Sequence, residues 1–377
     1  MVWPVAVFVF VLRAIESQQN TGFDLYVVRT GVVAFLHGHS PYDLHFFIYP
    51  PSGALLLSWL GIAGFAADRI VFLLIGATAV IASGLLAVRL VGASWRGAAG
   101  AAMVLALAVF EPVDLTLGLG NVNSLILLCE VLALGWIIER RWTLAALPLG
   151  ISVAIKPILV PLLLFPLLER RWRSLALAVA PIVVLSALAL ALNPASADFF
   201  HKTLPFLLKG DPTFFKTHNV SIAGAAVNLG VPSGIAALVR LVVGAAVLAF
   251  TVMRWRQGGE RWLLVVETSC LLLIGTFLCF SIAWAYYGIY LVPLLATIVH
   301  SGALIRHPIA LIGLFLVGSP DTFTLNRFRN AVEHLNEVRP TLGFACILIG
   351  MGLVLLRTRS PRGSPQPAET SSAYSSA

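Results

Sequence analysis

Charged residues are scarce in this chain of 377 residues. Asp, Glu, Lys and Arg make up 11% of it, whereas hydrophobic residues make up 59%. A soluble domain carries about 25% charged residues. So few charges cannot cover a water-facing surface, which excludes an ordinary soluble protein. The apolar residues form repeated runs of about the 20 residues that cross a bilayer. The sequence therefore predicts an all-α, polytopic integral membrane protein.

Signals for disulfides, metals and cofactors are also missing. The cysteines are few and lie inside apolar runs, where cysteine is a small core residue. The histidines show no metal-ligand spacing of the helical H-E-x-x-H kind. The chain has neither a P-loop nor a Gly-rich dinucleotide fingerprint. We therefore expect no metal, no cofactor and no disulfide framework.

We predict about twelve transmembrane helices, and this count leaves out residues 51–66. That segment is apolar, but counting it as a crossing disrupts the charge pattern everywhere downstream. We therefore expect a re-entrant or in-plane helix there. The predicted spans are 1–15, 69–91, 97–112, 122–138, 143–155, 157–169, 174–192, 233–252, 262–281, 287–305, 308–319 and 341–356.

With this count, the basic clusters collect on one side of the membrane. The positive-inside rule makes that side cytoplasmic, so the pI of about 9.7 indicates topology and not nucleic-acid binding. The polar loops 16–50, 193–232 and 320–340 are then exoplasmic. We expect one transmembrane domain, residues 1–360, and a disordered cytoplasmic tail, residues 361–377, which is rich in Ser, Pro and Ala. The clusters are Arg89 and Arg96; Arg140 and Arg141; Arg170, Arg171 and Arg173; Arg254, Arg256 and Arg261; Arg306; and Arg357, Arg359 and Arg362.

The segments 143–155 and 157–169 are short for a crossing. Thirteen helical residues extend about 20 Å, against a hydrocarbon core of roughly 30 Å. The flanking arginines place both outer ends in the cytoplasm. The tip at Ile155-Lys156-Pro157 is therefore expected to stop inside the membrane, with Lys156 as a cation below the exoplasmic surface.

Lys156 and Arg240 are both predicted cations within apolar segments, and such residues usually face a cavity or a partner. One interpretation has both of them binding an anionic head group. The other has Arg240 forming a structural ion pair with Glu130 or Glu267. The sequence leaves both interpretations open.

Asp24 lies in the first exoplasmic loop, after Gly22-Phe23 and before a helix-like stretch, 25–36. Aspartate is a good helix N-cap. A carboxylate at the membrane surface among aromatic residues is also a candidate general base. Both roles are compatible with the local sequence.

Amide, aromatic and basic side chains mark the other predicted exoplasmic loops. The asparagines of Gly120-Asn121-Val122-Asn123 either cap a helix or bind hydroxyls. The rings of Trp284-Ala285-Tyr286-Tyr287 either form an interfacial aromatic belt or stack on sugar or isoprenyl chain. The candidates for binding sugar, lipid or acceptor are Tyr49, Asn121, Asn123, His201, Lys202, His218, Asn219, Tyr286 and Tyr287.

Several segments carry motifs in a recognisable order. They are GFDLYVVRTGVVAFLHGHSPYD, YPPSGALLL, GNVNSLILLCEVLAL, AIKPILVPLLLFPLLERRWR, FFHKTLPFLLKGD with NVSIAG, and AWAYYGIYLVPLL. Taken together, from about residue 3 to residue 356, they resemble glycosyltransferase family 87 of the GT-C superfamily. Within that family the similarity points to the mycobacterial-type α-(1→3)-arabinofuranosyltransferases, which branch cell-wall arabinan.

This resemblance implies a GT-C-like fold at the plasma membrane, with the active site in exoplasmic loops. The implied reaction is an inverting, metal-independent transfer from decaprenyl-phosphoryl arabinofuranose to an arabinan acceptor. Asp24 is then the general base, and Lys156 and Arg240 bind the donor phosphate. The expected partners are the lipid donor, the arabinan and the bilayer, and nucleic acid is not among them.

Two other functions stay open. One is a polyprenyl-phosphate-mannose-dependent mannosyltransferase acting on phosphoinositol mannosides. Those relatives tend to carry a His pair where this chain has Tyr286-Tyr287, which favours the arabinosyl branch. The other is a flippase or transporter of lipid-linked sugars. Transporters often contain internal repeats, and the spans and loop motifs here do not repeat.

Overall fold

The computed structural model describes residues 2–19, 22–44, 46–211, 213, 219–320 and 329–357. Over these residues the chain is all helical, and one antiparallel bridge pairs Asn219 with Trp284. The predicted tail, 361–377, lies outside the described residues. The α-helices are α1 (Val2–Glu16), α2 (Phe23–Leu36), α3 (Pro51–Leu56), α4 (Phe65–Leu90), α5 (Ala98–Val109), α6 (Glu111–Leu119), α7 (Asn123–Ile138), α8 (Trp142–Ile155), α9 (Leu164–Leu168), α10 (Trp172–Leu192), α11 (Leu204–Lys209), α12 (Ile222–Asn228), α13 (Ser233–Gln257), α14 (Arg261–Cys279), α15 (Val292–Thr297), α16 (Pro308–Gly318) and α17 (Arg329–Arg357).

Five helices are long and apolar enough to cross a membrane: α4, α10, α13, α14 and residues 336–357 of α17. The pair α5 and α6 makes a sixth if its 64° bend lies within one span. Other apolar segments, such as α7 and α8, are only 10–17 residues long. By length and composition the described helices support five or six crossings, and twelve stays a prediction.

One predicted span is divided in the structure, and the segment predicted not to cross, 51–66, forms only short elements. The predicted span 97–112 divides at Phe110, whose extended backbone (φ −85°, ψ 107°) separates α5 from α6. Pro112 favours this break, because proline fits the first turn of a helix and not its interior. Residues 51–66 form α3 and a 3-10 segment, Ser58–Gly61. Six residues of helix extend only about 9 Å, so α3 is too short to cross.

The predicted break at Lys156 is confirmed. Helix α8 ends at Ile155, Lys156 is extended (φ −153°, ψ 117°), and a 3-10 segment, Pro157–Leu163, follows. Proline disfavours helical backbone in the residue before it, which explains why the helix stops there. Helices α7 and α8 pack side by side and are joined by a short turn. The start of α7 and the end of α8 therefore lie at the same end of this pair.

Arg254 and Glu267 form a buried ion pair between α13 and α14. Arg254 Nε lies 2.6 Å from Glu267 Oε2, and the two side chains are 7% and 0% exposed. The predicted pairing of Arg240 with Glu130 or Glu267 is therefore wrong. Arg240 Nε instead donates to the carbonyl of Cys279 at 2.7 Å, and Glu130 is buried without a hydrogen-bond partner among the described residues.

We expect Arg254→Ala to destabilise the protein strongly, because it leaves the Glu267 carboxylate buried and unpaired. Breaking a buried pair costs about 3–5 kcal/mol. Thermal unfolding in detergent measures the loss. Arg256→Ala is the matched control, since Arg256 lies on the same helix and is exposed. Similar midpoints for the two variants would show that the pair contributes little.

Candidate active site

A cavity of about 400 Å³ lies where the start of α2, the start of α7 and the end of α8 meet. Its wall is mainly apolar and aromatic, and it includes one carboxylate and one ammonium group. The residues that line it are Phe23, Asp24, Val27, Phe46, Ile48, Tyr49, Leu115, Leu119, Asn121, Lys156, Trp284, Ala285 and Tyr286. Ligand sites commonly combine apolar walls with a few convergent polar groups.

Asp24 lies in the first turn of α2, and the N-cap position belongs to Gly22. Gly22 has φ +64°, a conformation that glycine adopts without strain. The interpretation of Asp24 as an N-cap is therefore wrong. Its carboxylate instead accepts hydrogen bonds from Asn121 Nδ2 and from the Tyr286 side chain.

Burial raises the pKa of the Asp24 carboxyl above its ordinary value of 3.8. The hydrogen bonds from Asn121 and Tyr286 and the charge of Lys156 act in the opposite direction, and burial outweighs them. A higher pKa makes the ionised carboxylate a stronger base. The site thus contains a carboxylate suited to accepting a proton.

Asn121 binds both the backbone at the start of α7 and the Asp24 side chain. Its Oδ1 accepts the backbone N–H of Asn123 at 2.9 Å, while its Nδ2 donates to Asp24. Asn123 in turn accepts a hydrogen bond from Lys156 Nζ at 3.2 Å through its Oδ1. Asn123 is fully buried and does not line the cavity. This short segment therefore positions both charged groups.

Lys156 is 7% exposed and surrounded by aromatic rings. Its Nζ lies 5.8 Å from the ring centroid of Tyr49, 5.5 Å from that of Tyr286 and 5.1 Å from that of Tyr287. Within the described part of the chain it forms no salt bridge. Ring faces attract a cation without neutralising its charge. The ammonium group can therefore still bind an anion in the cavity.

The aromatic side of the cavity is held by Asn219. The rings of Trp284 and Tyr286 stack at a centroid distance of 6.0 Å. Asn219 is fully buried, its Oδ1 accepts the N–H of Ala283 at 3.1 Å, and its Nδ2 donates to the carbonyl of Ser281 at 2.7 Å. Asn219 therefore positions the Trp284 loop and does not contact the cavity.

Sequence reasoning missed two residues that support the hairpin tip, although they lie in the Tyr49-Pro50-Pro51-Ser52-Gly53 segment that it singled out. Ser52 Oγ donates to the carbonyl of Ala154 at 2.7 Å. A Cβ on Gly53 would lie 2.6 Å from the carbonyl oxygen of Ile155, so only glycine permits this close approach. These contacts hold the backbone on either side of Lys156. It also missed Phe23 and Phe46 as parts of the cavity wall.

Three other predicted residues, Arg240, His201 and Lys202, do not line this cavity. Arg240 lines a separate, largely apolar cavity of about 960 Å³ between the segment after Lys156 and helices α13 and α14. His201 and Lys202 are exposed, and Lys202 Nζ lies 2.8 Å from carboxylate oxygens of both Asp43 and Asp198. His218 lies outside the described residues.

Comparison with known proteins gives a family and several named relatives. The profile described as "Glycosyltransferase family 87" matches residues 47–281. A protein of Mycobacterium tuberculosis (strain CDC 1551 / Oshkosh) named alpha-(1->3)-arabinofuranosyltransferase is 32% identical over 92% of this chain and 82% of its own length. Proteins of the same name from Corynebacterium glutamicum and Mycolicibacterium smegmatis are 27% and 28% identical, over 92% and 94% of this chain and 84% and 85% of their own lengths. No solved structure matches the chain.

Proposed function

Because this chain belongs to glycosyltransferase family 87 and is therefore a glycosyltransferase, we propose that it adds α-(1→3)-arabinofuranosyl branches to arabinan. The proposed donor is decaprenyl-phosphoryl arabinofuranose. The observation that carries the proposal is the convergence of Asp24 and Lys156 on one apolar cavity. The names of the relatives support the choice of sugar.

The cavity wall supports a lipid-linked donor. Phe46, Ile48, Leu115 and Leu119 provide apolar surface beside the Lys156 ammonium. A polyprenyl-phosphate sugar presents a matching combination: an isoprenyl chain, an anionic phosphate and a sugar. The proposed setting is a GT-C-like fold of about twelve spans within residues 1–360. Its active site would face the exoplasmic side of the plasma membrane, as the charge asymmetry of the sequence indicates.

In the proposed reaction the acceptor hydroxyl attacks the anomeric carbon of the donor. Asp24 takes the hydroxyl proton as the new C–O bond forms. The bond between the anomeric carbon and the phosphate oxygen breaks with inversion, and polyprenyl phosphate leaves with the electron pair. Lys156 stabilises the charge that develops on the phosphate. Asn121 and Asn123 hold these two groups at their positions, which lowers the entropy lost on reaching the transition state.

We expect the purified protein to transfer label from decaprenyl-phosphoryl arabinofuranose to an arabinan oligosaccharide, with an α-(1→3) linkage in the product. Parallel reactions with polyprenyl-phosphate mannose and a phosphoinositol mannoside test the mannosyltransferase alternative. Product analysis by mass spectrometry and linkage analysis distinguishes them. Efficient mannosyl transfer would overturn the choice of sugar. Movement of lipid-linked label across a vesicle without glycosidic bond formation would identify a flippase.

Asp24→Asn is expected to fold and bind donor while losing about 10²–10⁴ in rate, because an amide cannot accept the hydroxyl proton. The substitution preserves the size of the side chain and an oxygen that can accept a hydrogen bond from Tyr286. Turnover at saturating donor measures the loss. Asp43→Asn is the control, since Asp43 is an exposed aspartate at the surface. If Asp24→Asn keeps more than about a tenth of wild-type turnover, the base lies elsewhere.

The pH dependence of kcat/KM tests the same role. The base is the ionised form, so activity falls as pH falls through the pKa of Asp24. Because burial raises that pKa, the acid limb is expected above pH 3.8. Asn121→Ala removes a hydrogen bond that lowers the pKa, and the limb should therefore move to still higher pH. A merely structural role of Asn121 would change stability or rate and leave the position of the limb unchanged.

Lys156→Ala should weaken binding of the lipid donor more than binding of the acceptor. Losing a hydrogen bond to a charged group costs roughly 1.5–3 kcal/mol, which is about ten- to a hundredfold in affinity. Donor affinity is measured with detergent-solubilised protein. Arg240→Ala is the comparison, because Arg240 lines the separate cavity. Equal losses of donor affinity in the two variants would show that Arg240 also binds the phosphate. An unchanged donor affinity in Lys156→Ala would show that Lys156 does not bind it.

A further inference from the structure

Two turns of the protein share one sequence and one backbone conformation. Glu139-Arg140-Arg141-Trp142 joins α7 to α8, and Glu169-Arg170-Arg171-Trp172 joins α9 to α10. The second residue is left-handed in both, with φ 60° at Arg140 and φ 54° at Arg170. The third residue is also alike: Arg141 has φ −86° and ψ 65°, and Arg171 has φ −90° and ψ 63°.

Glycine is the usual residue at a left-handed turn position, because a side chain there is strained. This chain places arginine at that position twice. Residues in disfavoured backbone conformations often serve a function that requires their side chain. The two arginines are the only non-glycine residues with positive φ in the described part of the chain. A function that explains both left-handed positions must therefore involve both arginine side chains.

A cavity of about 710 Å³ lies between the two turns, and five arginines line it: Arg140, Arg141, Arg170, Arg171 and Arg173. Among the described residues, no aspartate or glutamate lines the cavity. Glu139 pairs with Arg141 at 3.1 Å, and Glu169 pairs with Arg261 at 3.4 Å.

Four of the five arginines, Arg140, Arg170, Arg171 and Arg173, form no ion pair with a described residue. The cavity therefore carries a large uncompensated positive charge.

Two helix N-termini add to this charge. Helices α8 and α10 are 14 and 21 residues long, and they begin at Trp142 and Trp172, both of which line the cavity. Neither N-cap residue places a side chain on the N–H groups of the first turn. Such N–H groups and the helix dipole favour an anion, above all a phosphate.

A simpler explanation is that these arginines only orient the protein by the positive-inside rule. That rule counts positive charges near the ends of spans and requires no particular conformation. It explains neither the repeated left-handed arginine nor the convergence of five arginines on one cavity without an acid. Both features are expected of a built anion site.

We propose that this cavity binds the phosphate head group of an anionic phospholipid. The choice of a lipid rests on α10, which begins at the cavity and is only 11% buried over its apolar length. The acyl chains of a lipid held at the arginines can lie along this exposed apolar face. Trp172 is itself 61% exposed, and tryptophan is typical of membrane interfaces. Basic pockets between membrane helices commonly bind anionic head groups.

The proposed lipid site is separate from the catalytic cavity. It lies at the start of α8, whereas Lys156 follows the end of that helix, and 14 residues of helix extend about 21 Å. Binding at one site can therefore be measured while the other is intact.

The test compares phosphatidylglycerol with phosphatidylcholine of the same acyl chains, using the full-length protein and native mass spectrometry to obtain dissociation constants for single bound lipids. The variant is Arg140→Gly with Arg170→Gly, because glycine keeps the left-handed turn while removing two charges. The control is Arg89→Gln with Arg256→Gln, which removes two exposed arginines outside the cavity. A further arm adds inorganic pyrophosphate as a soluble competitor.

We expect the wild type to bind phosphatidylglycerol at least tenfold more tightly than phosphatidylcholine, and the glycine variant to lose most of that preference. The control variant should keep it. Equal losses in both variants would show an effect of general surface charge, and no preference in the wild type would show no anion site. Displacement of phosphatidylglycerol by micromolar pyrophosphate would identify a soluble phosphate ligand. Each of these three results overturns the lipid proposal.

Discussion

The hydrogen bonds made by two buried asparagines organise the cavity that Asp24 and Lys156 line. Asn121 binds the Asp24 carboxylate, and Asn123 binds the Lys156 ammonium. A carboxylate and an ammonium group in an apolar cavity attract each other strongly, and a direct ion pair would occupy both. Amide groups placed beside each charge satisfy part of its hydrogen-bonding capacity while keeping the charges available. The cavity therefore offers a proton acceptor and an anion-binding cation side by side.

The broken hairpin makes this arrangement possible. Lys156 reaches the cavity because α8 stops before a proline, which disfavours helical backbone in the residue that precedes it. Ser52 and Gly53 pack against the backbone of Ala154 and Ile155 and support this break from the other side. Lys156 thus lies where segments distant in sequence meet, since it contacts Tyr49, Asn123 and the Tyr286-Tyr287 pair. This convergence sets the geometry of the site.

Helix α8 connects a mainly apolar cavity at one end to a strongly basic cavity at the other. One end meets the apolar cavity, which a single lysine and a single aspartate line. The other end begins in an arginine-lined cavity with no acid in its wall. The two proposals place a lipid at each end of this helix: the donor at the cavity of Lys156 and an anionic phospholipid at the arginines.

The sequence by itself determined the local features. Low charge and long apolar runs predicted the all-helical chain, the short length of segments 143–155 and 157–169 predicted the break at Lys156, and motif order predicted the glycosyltransferase family. It also proposed Asp24, Asn121, Lys156 and Tyr286 as site residues, which the structure places around one cavity. These features follow from short-range rules: burial of apolar side chains and the length of helix that crosses a bilayer.

Only the tertiary structure decided which of the proposed residues share a site. Asp24 and Asn121 are 97 positions apart, and no local pattern shows that they form a hydrogen bond. Arg240 and Lys156 look alike in sequence, as cations within apolar segments, yet the packing of α13 against α14 directs Arg240 to the Cys279 carbonyl and another cavity. Partner choice depends on how helices pack across the whole chain, because hydrogen bonds and ion pairs act over a few ångströms of space, whatever the separation in sequence.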